Sequence, residues 1–173
     1  MAQNRVVGVG TLMSLGTLMS ASALASTVTA ELNGFDEVPS IRSEATGSFR
    51  ATLNESGNEV SYTLTYSDVA TPVQFAHLHF AQRGVNGGVA VWLCDNSGSA
   101  PSGVQVCPND SGTVEGTIGT ADIVGPVDQG LAAGDLTGLL RAIGAGSIYA
   151  NVHSEAFPGG EIRGQLEPEF GIE

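Results

Sequence analysis

From residue 27 onward the chain alternates apolar and polar residues in short runs. Thr27-Val28-Thr29-Ala30-Glu31-Leu32 is the first, and Gly47-Ser48-Phe49-Arg50-Ala51-Thr52-Leu53 the second. The polar stretch Asn54-Glu55-Ser56-Gly57-Asn58 separates the second run from Glu59-Val60-Ser61-Tyr62-Thr63-Leu64-Thr65-Tyr66. A period of two puts successive side chains on opposite faces, so this pair is expected to form a hairpin with one buried face. Further strands are expected at residues 73–80, 88–93, 112–118, 147–153 and 161–166, with Gly, Asn and Pro as punctuation between them. One segment changes period. Leu136, Leu139, Leu140 and Ile143 recur at i, i+3, i+4 and i+7, Asp135 stands at the N-cap position and Gly144 can end the turn. Many short strands with one helical segment predict an all-β fold: an antiparallel Greek-key β-sandwich or barrel with one short helix strapped across it.

The first 25 residues follow a different rule. Arg5 is the only charge before Glu31, an apolar stretch begins at Val6, and Ala23-Leu24-Ala25 has the small-x-small form of a cleavage site. This predicts a secretory signal peptide over 1–25, a single domain over 26–173, and a secreted or periplasmic protein. The competing reading, a membrane anchor, conflicts with the Gly, Ser and Thr that dilute the run and with the lack of a basic cluster behind it.

Charge removes other function classes. The chain holds 18 acidic residues against 6 basic ones, for a net charge of −12, and all six basic residues are arginines. Cleavage after Ala25 takes away Arg5 alone, leaving 18 acids, 5 arginines and a net −13. Such a surface repels polyanions, so neither nucleic acid nor an acidic membrane surface is an expected partner. The two cysteines, Cys94 and Cys107, flank a loop-type segment. In an oxidising compartment a disulfide is the simplest outcome; a metal-thiolate pair is the alternative, but the spacing lacks the C-x-x-C form that zinc sites favour.

Candidate chemistry rests on the histidines. There are three: His77 and His79 in Gln74-Phe75-Ala76-His77-Leu78-His79-Phe80, and His153 closing Ser147–His153. Residues i and i+2 of a strand share a face about 6.5–7 Å apart, so two imidazoles so placed can converge on one ion. A third, from another strand, completes a set suited to copper, with zinc as the alternative; Ca²⁺ or Mg²⁺ prefers oxygen donors. Affinity is expected to fall below about pH 6 as the imidazoles protonate. The competing reading is a solvated or hydrogen-bonded H-x-H pair with no ion. Glu155 and Glu161 are candidate acceptors for imidazole N–H groups around the site. Arg163 shares a strand face with Glu161 at i, i+2 and is a candidate ion-pair partner for it. Asp36 and Glu37 read as solvated turn residues, and Tyr62, Tyr66, Trp92 and Tyr149 as core. No catalytic residue is assigned.

Three motifs carry a family resemblance: Leu32-Asn33-Gly34-Phe35-Asp36-Glu37-Val38-Pro39, Ala76-His77-Leu78-His79, and the long closing run from Tyr149-Ala150-Asn151-Val152-His153 to Pro158-Gly159-Gly160-Glu161-Ile162-Arg163-Gly164-Gln165-Leu166. Over residues 32–166 the chain resembles a CHRD domain, the module named for chordin and found in exported bacterial proteins. More remotely, the H-x-H strand and the late V-H are similar to the copper half of copper–zinc superoxide dismutases. That resemblance implies a Greek-key barrel, a stabilising disulfide and copper on His77, His79 and His153. No histidine lies between His79 and His153 to match the metal-bridging and zinc ligands of those enzymes. The expectation is therefore an exported copper-binding protein for buffering or delivery. The alternatives are a copper-only dismutase of weak activity and a metal-free extracellular interaction or adhesion module.

Overall fold

The eight alternating runs all become strands. The computed structural model describes residues 27–169, and the predicted signal segment lies outside them. The strands are β1 (Thr27–Asn33), β2 (Thr46–Leu53), β3 (Val60–Ser67), β4 (Val73–Phe80), β5 (Gly88–Asp95), β6 (Gly112–Ile118), β7 (Ile148–Ser154) and β8 (Ile162–Gln165). A two-residue β9 (Glu167–Pro168), which the periodicity does not reveal, pairs with β1. The helix α1 (Leu136–Gly144) lies where its period puts it, and the Asp135 carboxylate accepts the Gly138 N–H at 2.8 Å as its cap. Its buried face is Leu136, Leu139, Ala142 and Ile143; Leu140 is only partly buried.

All strand pairings are antiparallel, in the order β5-β4-β7-β8-β1-β2-β3-β6. The two end strands approach one another and nearly close the sheet into a barrel. Gln105 Nε2 spans the gap, donating to Leu93 O on β5 at 3.4 Å and to Glu115 O on β6 at 2.9 Å. Tyr62 Oη also donates to Leu93 O, and Val124 N–H to Ala90 O. β7 returns to lie beside β4 instead of β6, the crossing that defines a Greek key.

Inside the barrel sit the apolar faces of the strands, among them Leu32, Phe49, Leu64, Ala76, Leu78, Leu93, Ala150, Val152 and Ile162. Because the period is two, the intervening residues of β4, β7 and β8 point outward: His77, His79, Tyr149, Asn151, His153, Arg163 and Gln165. All seven are nevertheless buried. Loops at residues 34–45, 81–87 and 155–160 adjoin this outer face, and that cover makes a site there possible. Among the described residues no helix is long and apolar enough to cross a membrane.

Cys94 and Cys107 form a disulfide, which excludes the metal-thiolate alternative for this pair. The bridge joins residues 13 apart and holds the segment that carries Gln105, so it also braces the barrel seam. The double variant Cys94→Ala/Cys107→Ala is expected to lose on the order of 3 kcal/mol, the chain-entropy figure for a loop of this length. Urea unfolding of the oxidised protein and the double variant measures the difference; equal midpoints and slopes would show that the loop is held without the bridge.

Candidate metal centre

The topology brings the three histidines together. β4 and β7 pair so that His77 lies opposite Asn151 and His153 opposite Phe75, and His77, His79 and His153 share the outward face. On the other side of β4 the pairing with β5 slips twice, between Ala76 and His77 and again between Leu78 and His79. β5 thus carries an extra residue beside each histidine, a local irregularity of the kind that re-aims side chains.

One candidate ligand atom from each ring lies within 4.8 Å of the others, and all three side chains are buried. Ring centroids are 5.1 Å apart for His77–His79 and His77–His153, and 5.8 Å for His79–His153. His79 Nδ1–H donates to Gly87 O and His153 Nδ1–H to Pro158 O, each at 3.0 Å. A proton on Nδ1 leaves the Nε2 lone pair free. Nε2 of His79, Nε2 of His153 and both nitrogens of His77 are buried with no hydrogen-bond partner. Three imidazoles that each bury an unpartnered nitrogen in one place are costly unless something electrophilic sits between them. A metal ion fits that description. The neutral nitrogen donors suit copper or zinc.

Aromatic rings wall the cluster. Trp92 packs against His77 at 4.1 Å, Phe75 touches His77 and His153 at 4.9 and 4.7 Å, and Tyr149 stacks on His79 at 4.9 Å. Trp92 and Tyr149 therefore belong to the surroundings of the histidines, not to the barrel core where their strand positions alone placed them. This setting holds the imidazoles neutral. Burial, helped by the neighbouring His153 and His79, lowers the pKa of His77 to about 2. Burial, with His153 beside it, takes His79 to about 4, and burial takes His153 to about 4. Proton competition with a metal thus moves well below the pH 6 expected from an ordinary histidine.

The acceptors that fix the tautomers are backbone carbonyls, where sequence reasoning looked to Glu155 and Glu161. Glu155 is exposed on the β7–β8 hairpin. Glu161 is fully buried and accepts from Ser43 Oγ at 2.6 Å, Ala70 N at 3.0 Å and Ser154 Oγ at 2.5 Å. It pins the hairpin whose Pro158 carbonyl meets His153, so it acts through the backbone. Arg163 makes no ion pair with Glu161. Its guanidinium lies 3.4 Å from the centre of the Tyr149 ring and bonds Asn86 Oδ1 and the Gln82 and Val85 carbonyls.

Two buried residues escaped the sequence reading. Glu37 accepts from Asn151 Nδ2 at 2.5 Å, and burial raises its carboxyl above the usual range. Asn151 also donates to Ile162 O at 2.8 Å. Gly160, in a left-handed conformation with φ 125°, packs against both; a Cβ there would stand 2.5 Å from the Glu37 carboxylate. The only sequence signal was the position of Glu37 and Asn151 inside the long motifs, which gives no direction for a side chain.

The CHRD domain model matches residues 28–166. No curated protein and no solved structure matches the chain, so the likeness to copper–zinc dismutases stands on the H-x-H and V-H positions alone.

Proposed function

The chain belongs to the CHRD family, and from that premise we propose that it is an exported copper-binding protein whose ion is held by His77, His79 and His153. The observation that carries this reading is that three buried imidazoles, each with an unpartnered ring nitrogen, bring one ligand atom apiece within 4.8 Å of the others. Three neutral nitrogen donors match copper, with zinc the next choice on the same donor set. When bound, copper supplies a centre that can change oxidation state; the protein's own part is to hold the rings, fix the tautomers at Nδ1 and surround the ion with apolar walls. Buffering or delivery of the ion fits such a site without a catalytic residue, which makes a binding role the first reading and dismutation a weak side activity. The signal peptide read from residues 1–25 and the disulfide support an oxidising, extracytoplasmic location.

Trp92 is the only tryptophan of the chain, and its ring touches His77. Titrating metal-free protein with Cu²⁺ is therefore expected to quench its fluorescence with a break at one equivalent. His79→Ala should shift the titration at least tenfold to higher copper and alter the EPR spectrum. An unchanged spectrum and affinity in that variant removes the H-x-H strand from the site. A protein that takes up neither copper nor zinc returns the family's interaction-module reading.

A further inference from the structure

Arg163 is the largest fully buried side chain of the described residues, 1 % exposed. A buried guanidinium ordinarily sits against a carboxylate, because an unpaired charge in a low-dielectric interior is expensive. Among the described residues no carboxylate lies within salt-bridge distance of it. The groups in contact with it are neutral, namely Asn86 Oδ1 at 3.2 Å, Val85 O at 2.8 Å, Gln82 O at 3.3 Å and the face of Tyr149, while the Glu37 and Asp36 carboxylates act on it only from beyond contact.

Two paths lead from this side chain, and both end on His79. Along the first, the guanidinium covers one ring, Tyr149, which lies parallel to the His79 imidazole within 8°. Along the second, the three hydrogen bonds hold residues 82–86, and that segment delivers Gly87. The Gly87 N–H donates to Tyr149 Oη at 3.2 Å, and the Gly87 carbonyl accepts the hydrogen bond from His79 Nδ1–H at 3.0 Å. The return into β5 is tight, since any Cβ at Gly87 would collide with the Phe80 carbonyl. A residue needed only to fasten a loop could be neutral. A permanent charge set one ring layer from a ligand also changes the field at the ion.

We propose that Arg163 is the positioning residue of the metal centre: it clamps His79 in the tautomer that presents Nε2, and its charge makes the site prefer cuprous over cupric copper. This rests on the copper reading above. One aromatic ring, Tyr149, separates the guanidinium from the His79 imidazole, and in a partly screened interior a unit charge at that range disfavours one extra unit of charge on the ion roughly tenfold. The three ligands would be neutral imidazoles and would carry no negative charge to offset this.

Arg163→Met removes charge and fork together, whereas Arg163→Lys keeps the charge and loses the fork. Two quantities are read on full-length processed protein. One is the ratio of Cu⁺ to Cu²⁺ affinity, from chelator competition with and without ascorbate. The other is the ¹⁵N signature of the His79 ring in metal-free protein. The expected result is a ratio at least tenfold lower in Arg163→Met and within about threefold of wild type in Arg163→Lys. Both variants should lose the sharp Nδ1–H signal of His79. An unchanged ratio in folded Arg163→Met overturns the charge role, and an unchanged His79 signature in both variants overturns the clamp. Should the Met variant not fold, Arg163→Gln serves as the neutral replacement under the same criteria. Wild-type protein that binds no copper overturns the proposed function and the charge role with it, while the ring signature still decides the clamp.

Discussion

His77→Phe is expected to make the metal-free protein more stable and to abolish metal binding. Both ring nitrogens of His77 are buried without a partner, and the ring touches Phe75 and Trp92. An unsatisfied buried polar group costs about 1–3 kcal/mol. Phenylalanine removes two such groups and adds apolar contact with rings already present. Its slightly larger ring takes back part of the gain through tighter packing. A net stabilisation of about 1–2 kcal/mol follows. Urea unfolding of metal-free wild type and variant measures it, and copper affinity should fall by two orders of magnitude or more. His77→Ala is the control: it removes the same nitrogens but opens a cavity, so it should not stabilise. A metal-free His77→Phe protein markedly less stable than wild type would mean that the imidazole is satisfied by something other than an ion, and the cluster would lose its strongest argument as a metal site.

Acid should destabilise the metal-free protein early and steeply. The folded pKa values of His77, His79 and His153, about 2, 4 and 4, lie below the ordinary 6.5. The unfolded chain therefore takes up protons first as pH falls. The stability these neutral imidazoles contribute is complete above about pH 7 and is lost from 6.5 down to about 4 for His79 and His153 and on to about 2 for His77, with each histidine adding a slope of about 1.4 kcal/mol per pH unit. Glu37 works the other way. Its raised folded pKa lets the native state take up a proton before the unfolded chain does, which adds stability as pH falls. It is one group against three. Bound copper should hold the native state through the same range, since a ligand at a thousand times its Kd adds about 4 kcal/mol. Unfolding midpoints of metal-free and copper-loaded protein at pH 7, 6, 5 and 4 make the comparison. A flat metal-free profile from pH 7 to 5 would show that the histidines are not held neutral by burial.

The strands were legible because their signal is local. In β3 the alternation from Val60 to Tyr66 records which face meets the core, and the pleat converts that record directly into structure. In α1 the apolar period and Asp135 did the same for the helix. His77 and His79 could be placed on one face by counting, and the cysteine pair could be matched because the chain has only two.

Direction beyond the strand needed the tertiary structure. Counting put Arg163 and Glu161 on one face and so made them partners, yet covering loops gave each other neighbours: Tyr149 and the 82–86 segment for one, Ser43, Ala70 and Ser154 for the other. The acceptors for His79 and His153 are main-chain carbonyls, which every residue carries and no residue type announces. Glu37 looked solvated because glutamate usually is; burial against Asn151 depends on a hairpin more than a hundred residues away. The sequence by itself determined the all-β class, the strand and helix positions and the three histidines able to bind a metal, because periodicity and side-chain chemistry are properties of single segments. Only the tertiary structure decided that β7 lies beside β4, that loops bury the outer face, and that the imidazoles stay neutral, because pairing order and desolvation arise from segments that meet across the whole chain.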